Sequence, residues 1–420
     1  MRIAIIALGS RGDVQPYVAL GKGLQDAGHE VRLVTHEDFA ALAAAHGLDC
    51  YTVRGSVQAV AESEEMRALL AKGNFLAITA RTAKEAKRAV RHWAEDGLAA
   101  CRGVELLIAG IGGLFIGLAL AEKLDVPLMQ AHLVPFTPTG DFPGVLLPVA
   151  LPRLGAGANR LSHHLVRQVM WQGSRAADNL ARREVLHLPP APLSGPFNNA
   201  RGRQLPVLYG FSSTVIPRPA DWDGNTHVTG YWFLDSPADW TPLPALSAFL
   251  EDGPPPVYVG FGSMSSRQPE ETADLVLRAL AETGQRAVML TGWAGLRKDN
   301  LPDSIHMVDA VPHDWLFPRV AAVVHHGGVG TTAAGLRAGV PSILVPFFAD
   351  QPFWAGRVRA LGVGPDAIPR RELTAGRLAQ ALHTAVADEA LRRRAAEVGA
   401  LIRAEDGVGR AVALIAALNR

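Results

Sequence analysis

The sequence predicts an α/β protein of two open, parallel-sheet domains, and three observations carry that prediction. At 420 residues the chain exceeds what one ordinary hydrophobic core serves. Short, wholly apolar runs alternate with longer helical patterns, as strands buried on both faces of a parallel sheet require. In each half a glycine-bearing turn follows an early strand, where open α/β sheets place their ligand loops.

The first strand is read at Ile3 to Leu8, followed by a turn with Gly9 and Gly12. A helix from about Val14 to Ala27 comes next, with Pro16 in its first turn and Gly28 as its stop. Val31 to Thr35 completes a βαβ unit, and the rhythm recurs at Glu105 to Ala109 and Pro127 to Ala131. A second set of strands is read at Pro256 to Phe261, Ala287 to Thr291, Ile305 to Val308, Ala321 to His325 and Ser342 to Val345. Residues 215–256, rich in Pro and Trp, are assigned to a linker, with the boundary near residue 235. The domains are therefore 1–234 and 235–403. The Ala-, Arg- and Leu-rich tail from Thr374 is helical, and its last stretch, 404–420, either completes the second domain or reaches back over the first.

Composition narrows the function. Hydrophobic residues make up 48% and charged residues 19%, which describes a globular enzyme and excludes a disordered chain. With 41 basic against 40 acidic residues, no global field draws the protein to nucleic acid. Cys50 and Cys101 form neither a disulfide framework nor a zinc spacing, so a reducing cytoplasm is expected. The apolar stretch Leu106 to Ala121 is shorter than the ~20 residues that cross a bilayer. No signal peptide is read, because the first apolar run meets Arg11 and Asp13 at once.

The strongest chemical signal is His325-His326-Gly327-Gly328-Val329-Gly330-Thr331-Thr332. A strand ends in two histidines, and three glycines lead into a helix. Glycines allow close backbone approach, and the unpaired amides and dipole of a helix N-terminus hold negative charge. No Lys follows, so the segment is not a P-loop; the plainer reading is a tight turn with core histidines. Asp350-Gln351 follows the next strand at the same sheet edge, and an acid beside an amide suits two sugar hydroxyls, or a simple helix cap. Asp13 follows the first strand of the other half on the loop that opens the first helix, where a cap ion-paired to Arg11 is the structural reading.

Together with Gly9-Ser-Arg-Gly-Asp13-Val-Gln-Pro16, these segments resemble the inverting glycosyltransferases with two facing Rossmann-like domains, the GT-B type. The likeness is greatest to bacterial and fungal enzymes acting on sterols, lipids and antibiotic aglycones. Leu208 to Ser212, Val228 to Trp232 and Gly260 to Met264 fit the same pattern. The resemblance implies a deep interdomain cleft, a nucleotide-sugar donor (UDP-glucose first, a deoxythymidine-linked sugar second), and no prosthetic group or metal. It implies that His325 and the Gly327, Gly328, Gly330, Thr331 and Thr332 turn bind the diphosphate, with Ser263 as a further donor. Val311 would pair with the base, and Asp350 and Gln351 would read the sugar. Ala310 stands where plant relatives have a stacking Trp, leaving Trp293 or Trp315 for that role. Ser10, Arg11 and Gly12 are counted with the donor site, and Asp13 is the base.

The acceptor is expected in the N-terminal domain, as a hydrophobic small molecule held by His132, Phe136, Thr139, Phe142 and Trp171; His132 as a satisfied core histidine is the rival. Asp221-Trp-Asp223, the spacing of a metal-using transferase, reads as a surface turn. Lys84, Lys87, Arg88 and Arg91 share a helical face that could give weak peripheral contact with anionic lipid, though a solvated face is the commoner meaning. Oligomeric state is open. Two other functions compete: a sugar-nucleotide epimerase, against which the apolar 131–175 region argues, and a catalytically idle binding protein.

Overall fold

The computed structural model describes residues 1–56, 63, 65, 69, 75–146, 155–197, 205–237, 239–261, 269–291 and 301–418, with the side chains of 75–79 and 269 left aside. Ser263 and Trp293 lie outside the described residues. The chain forms two compact units, one of Met1–Met66, Asn74–Leu234 and Glu405–Arg420, the other chiefly Asp235–Ala404.

In the first unit seven parallel strands lie in the order β3-β2-β1-β4-β5-β6-β7. They are β1 (Arg2–Ile6), β2 (Glu30–His36), β3 (Asp49–Val53), β4 (Leu106–Ala109), β5 (Leu128–His132), β6 (Val207–Tyr209) and β7 (Thr226–Val228). The central strands read as continuous apolar runs because both faces are covered: Ile3, Ile5 and Ile108 pack toward one layer, Ala4, Ile6 and Leu107 toward the other. Strand order reverses between β1 and β4, and the loops after these strands touch there. A Cβ on Gly112 would lie 1.9 Å from the Leu8 carbonyl, so only glycine fits.

The C-terminal helix, Gly407–Ala417, belongs to this first unit. Its Ala411 and Ile415 are buried in the same core as Leu20 and Leu24 of helix Arg11–Asp26. Gly23 makes room for it: a Cβ there would meet Val408 at 2.3 Å.

The second unit has five parallel strands in the order β10-β9-β8-β11-β12. These are β8 (Val257–Gly260), β9 (Ala287–Leu290), β10 (Ile305–Val308), β11 (Ala322–His325) and β12 (Ser342–Leu344). Here the reversal falls between β8 and β11, which pair from Ala322↔Val257 to His325↔Gly260. Ligands of open α/β sheets bind beyond the carboxyl ends of strands at such a switch point.

The stretch read from sequence as linker holds more structure than that. Thr226–Val228 is the edge strand of the first sheet, and Pro244–Glu251 is a helix of the second unit. A three-residue strand is too short to show a period, which is why composition alone suggested a linker. Among the described residues no helix is long and apolar enough to cross a membrane.

Candidate functional site

In the first unit the switch point is occupied by Asp13. The helix begins at Arg11, three residues before the sequence reading, so Asp13 is the third residue of the helix and Pro16 lies beyond its first turn. Ser10 precedes it in an extended conformation, and both its amide and its hydroxyl donate to Asp13 Oδ2 at 2.8 Å. That exchange satisfies donors that would otherwise be orphaned at a helix start. Gly9, at φ +145°, is needed beside it, because a Cβ would lie 2.5 Å from Oδ2.

Asp13 Oδ1 has no hydrogen-bond partner among the described residues, and the residue is exposed. Arg11 donates to Gln15 Oε1 at 2.9 Å, and no ion pair to Asp13 forms. The protein mass around the carboxyl raises its pKa, outweighing the lowering by the Ser10 hydroxyl and amide. Asp13 is therefore crowded by protein yet open at its surface, one oxygen fixed and the other available. Ser10, placed with the donor site from sequence, has both its donors engaged by Asp13; it orients the carboxylate.

One turn on, Tyr17 is buried and donates to the Ala131 carbonyl at 2.6 Å. This ties the Asp13 helix to the end of β5, where His132 lies. The expected acceptor residues prove largely interior. Trp171 is 0% exposed, and its indole N–H points at the Pro192 and Leu193 carbonyls, both 3.1 Å away. Thr139 is equally closed, donating to Asp221 Oδ1 at 2.7 Å. His132 and Phe136 are buried at 1% and 2% exposure, and Phe142 is half-buried over His163. Aromatic residues at strand ends read alike whether they line a pocket or fill a core, so composition could not separate the two.

Asp221-Trp-Asp223 is also more than a surface turn. Asp221 accepts from Thr139, from the Gly140 amide at 2.8 Å and from Arg160 at 2.9 Å, which hold its carboxyl down at about 2 against the opposing effect of desolvation. Trp222 stacks on Tyr209 at 4.7 Å and is buried. Asp223 serves its own turn, accepting from the Asn225 amide and the Thr226 hydroxyl.

In the second unit β11 delivers His325, buried at 0% exposure, into the turn. Its Nδ1 accepts from the Gly327 amide at 3.1 Å, so the proton of the neutral ring sits on Nε2. Nε2 is buried with no partner among the described residues. Burial first, then the neighbouring His326 and His313, hold the ring's pKa well below its ordinary value. The ring is thus a neutral donor with nothing yet to donate to. His326 is likewise pushed down to about 4 by burial.

Gly327 sits at φ +92°, and helix Val329–Ala338 starts immediately after, capped by Gly328 and with no acid in its first turn. The amides of Val329, Gly330 and Thr331 therefore face outward with no preceding turn to supply carbonyls. Gly330 is exposed and Thr331 half-buried. Thr332, expected among the donor-binding hydroxyls, is instead buried and bonds the Gly328 carbonyl at 2.9 Å. It braces the turn.

The Asp350-Gln351 turn lies against this one. The Val345 amide bonds the His325 carbonyl at 2.8 Å, and a Cβ on Gly327 would stand 3.3 Å from the Gln351 carbonyl. Ala349 adopts φ +56°, a left-handed conformation rare outside glycine and often found at functional turns. Asp350 Oδ2 accepts the Trp354 indole at 2.8 Å, and Gln351 Oε1 accepts the Phe347 amide at 2.7 Å. Both side chains are fixed in orientation before any ligand arrives. Val311 follows β10 at the same sheet edge. Trp315 is overlain by Arg319 at 4.5 Å and packs on Trp240 at 5.3 Å.

Comparison with known proteins agrees with both halves of this description. Residues 3–143 match the glycosyltransferase family 28 N-terminal domain, and 274–407 match the erythromycin biosynthesis protein CIII-like C-terminal domain. The chain is 38% identical to a sterol 3-beta-glucosyltransferase of Cryptococcus neoformans over 99% of its length, and 37% identical to one of Arabidopsis thaliana over 98%. It spans 27% of the fungal protein and 64% of the plant one. Among solved structures, the glycotransferase of kitacinnamycin (19% identity, TM-score 0.71, 99% of this chain and 98% of that one) shares the fold. So does spinosyn rhamnosyltransferase complexed with thymidine diphosphate (19%, TM-score 0.64, 100% of both chains). Two matched family domains, in N- to C-terminal order on two parallel α/β sheets, lead to one conclusion: the chain joins a glycosyltransferase family 28 N-terminal domain to an erythromycin biosynthesis protein CIII-like C-terminal domain, in the fold of the solved two-domain glycosyltransferases.

Proposed function

We propose that the protein is an inverting hexosyltransferase that moves glucose from UDP-glucose to a hydroxyl of an apolar acceptor such as a sterol, terpenoid, polyketide or lipid. The single observation that carries this reading is the state of Asp13: Oδ2 held twice by Ser10, Oδ1 unpartnered, the group exposed. A base must be fixed in direction and open on the side that receives the proton. As the acceptor oxygen attacks the anomeric carbon, Oδ1 takes its proton and the bond to the diphosphate breaks.

The leaving diphosphate then rests on the Val329–Thr331 amides and the helix dipole, with His325 Nε2–H donating to a phosphate oxygen. Asp350 and Gln351 take sugar hydroxyls, and Val311 the base. UDP-glucose is preferred as donor because the relatives named above are glucosyltransferases; thymidine diphosphate in a structural neighbour keeps a deoxythymidine-linked sugar as the second choice. We place the reaction in the cytoplasm.

The test is incubation with UDP-glucose and a panel of sterols, terpenoids and polyketide aglycones, reading glucosides by mass spectrometry. Asp13→Ala should abolish transfer while UDP binding persists. Normal turnover in that variant would remove Asp13 from the mechanism, and a new UDP-sugar formed without acceptor would replace transfer by epimerisation.

A further inference from the structure

The aromatic cluster around Phe136 in the first unit holds two polar groups that the reaction above does not use, half-buried Arg167 and buried His132. Arg167, on helix Ala156–Ala181, lies between two rings, its guanidinium 5.1 Å from the Phe136 centroid and 4.8 Å from that of Phe197. Its Nε is buried without a hydrogen-bond partner, and no carboxylate pairs with it among the described residues. His132 packs edge-on against the same Phe136 at 5.2 Å and lies tilted against Tyr209 at 5.8 Å. Its Nε2 meets Gln130 Oε1 at 3.1 Å; that oxygen only accepts, so Nε2 carries the proton and Nδ1 is a bare acceptor. Nδ1 is buried and has no partner either, in a residue 1% exposed.

The surrounding polar atoms leave nothing to complete them. The Tyr209 hydroxyl donates to Thr137 Oγ1 at 2.7 Å and accepts from the Phe136 and Thr137 amides at 3.0 and 2.6 Å. His163 is engaged with the Phe142 carbonyl at 3.0 Å. What remains is a guanidinium whose buried Nε lacks a partner and a buried imidazole acceptor that lacks one, both against Phe136. A carboxylate would suit Arg167 but not the lone pair of His132, and a ketone would leave that lone pair unmet. A hydroxyl satisfies both, accepting from the guanidinium and donating to Nδ1.

We propose that Arg167 and His132 form a handle for a second hydroxyl of the acceptor, distinct from the one that is glycosylated. This rests on the acceptor reading of the first unit and sharpens it. β1, which leads to Asp13, and β5, which ends in His132, are separated by β4 alone. Two strand spacings amount to about 10 Å. The favoured acceptor is therefore a rigid apolar skeleton with a hydroxyl near each end, of roughly the span of a steroid 3,17-diol.

The experiment compares estradiol with its 17-deoxy analogue on the wild-type protein and on Arg167→Met and His132→Phe, in the presence of UDP-glucose. Binding is followed by calorimetry and transfer by mass spectrometry. The diol should bind about tenfold more tightly to the wild type. Arg167→Met should remove that preference while leaving the affinity for the deoxy compound unchanged. If His132→Phe fails to fold, Arg167→Met alone decides. Equal binding of both compounds by the wild type, a preference that survives Arg167→Met, or no binding of either overturns the handle. Equal binding with glucoside formation would sink the handle and leave the transferase reading intact. Diol preference without glucoside would do the reverse.

Discussion

His325 offers the sharpest test of the donor site, because its two nitrogens have separable jobs. In His325→Asn the amide oxygen reproduces the acceptor at Nδ1 and keeps the Gly327 amide bonded, while the Nε2 donor is lost. In His325→Gln the longer amide returns a donor near the Nε2 position. A hydrogen bond to a charged phosphate is worth about 1.5–3 kcal/mol, so the Asn variant should bind UDP-glucose roughly 10- to 150-fold more weakly. Since Nε2 has no partner among the described residues, its loss breaks no bond seen there, and the melting temperature without nucleotide should report only the smaller side chain. Titration calorimetry with UDP-glucose measures the first quantity and differential scanning calorimetry the second. A pH series adds a further check: burial keeps the ring neutral far below its ordinary pKa, so affinity should be level from pH 6 to 8. Unchanged affinity in a folded Asn variant would refute the contact. Tighter binding at pH 6 would mean an imidazolium and refute the neutral donor.

Three further outcomes are expected. The acid limb of kcat/KM should lie above the ordinary carboxylate range, because Asp13 must lose its proton to act and its pKa is raised; a limb at or below pH 4 would contradict the surroundings described for it. Thr331→Asp should place a carboxylate in the helix's own anion seat, weakening UDP-glucose more than tenfold while apo stability holds or rises by about 0.3–1 kcal/mol; calorimetry with undiminished affinity would move the diphosphate elsewhere. Asp178 is buried, with Oδ2 unpartnered, and desolvation lifts its carboxyl to about 7 against the pull of Arg182. A folded-state pKa raised above the unfolded 3.8 means the folded protein holds the extra proton between those values, so stability falls as pH rises from 3.8 to about 7, by roughly 1.4 kcal/mol per pH unit at most. Asp178→Asn should flatten that slope in denaturant titrations, and a slope unaltered by the substitution would count against the assignment.

Much of the architecture was legible because it is local. Apolar runs, glycine turns and following helices are neighbours in sequence, and the glycine turn after His325 stands where the sequence places it, between a buried strand and a helix start. The start of the Asp13 helix was misplaced because Ser10 and Asp13 cap each other through side chains, which hydrophobic period does not register. The acceptor side was harder for a different reason. Arg167 and Phe197 reach Phe136 from 31 and 61 residues away, and Asp221 meets Thr139 from 82. Nothing in composition distinguishes such convergence from an ordinary core. What distinguishes it is hydrogen-bond satisfaction in the folded chain: Tyr209 is fully bonded, while His132 Nδ1 and Arg167 Nε have no partner among the described residues.

The two units use one device with opposite polarity. Each places the N-terminus of a helix at the switch point of a 3-2-1-4-5 sheet order, with glycine at the second helical position, Gly12 in one and Gly330 in the other. The third position differs. Asp13 fills it in the first unit, so the helix neutralises its own positive end, and the carboxylate is gripped by Ser10 while retaining a free oxygen. Thr331 fills it in the second, where no acid lies in the first turn to offset the positive end of the helix. A neutral His325 suits the proposed diphosphate site: its ring would add a directed hydrogen bond without adding a full charge to the hold on the leaving group. One residue at equivalent helix positions thus distinguishes an anionic group that belongs to the protein from the anionic group proposed to arrive and leave.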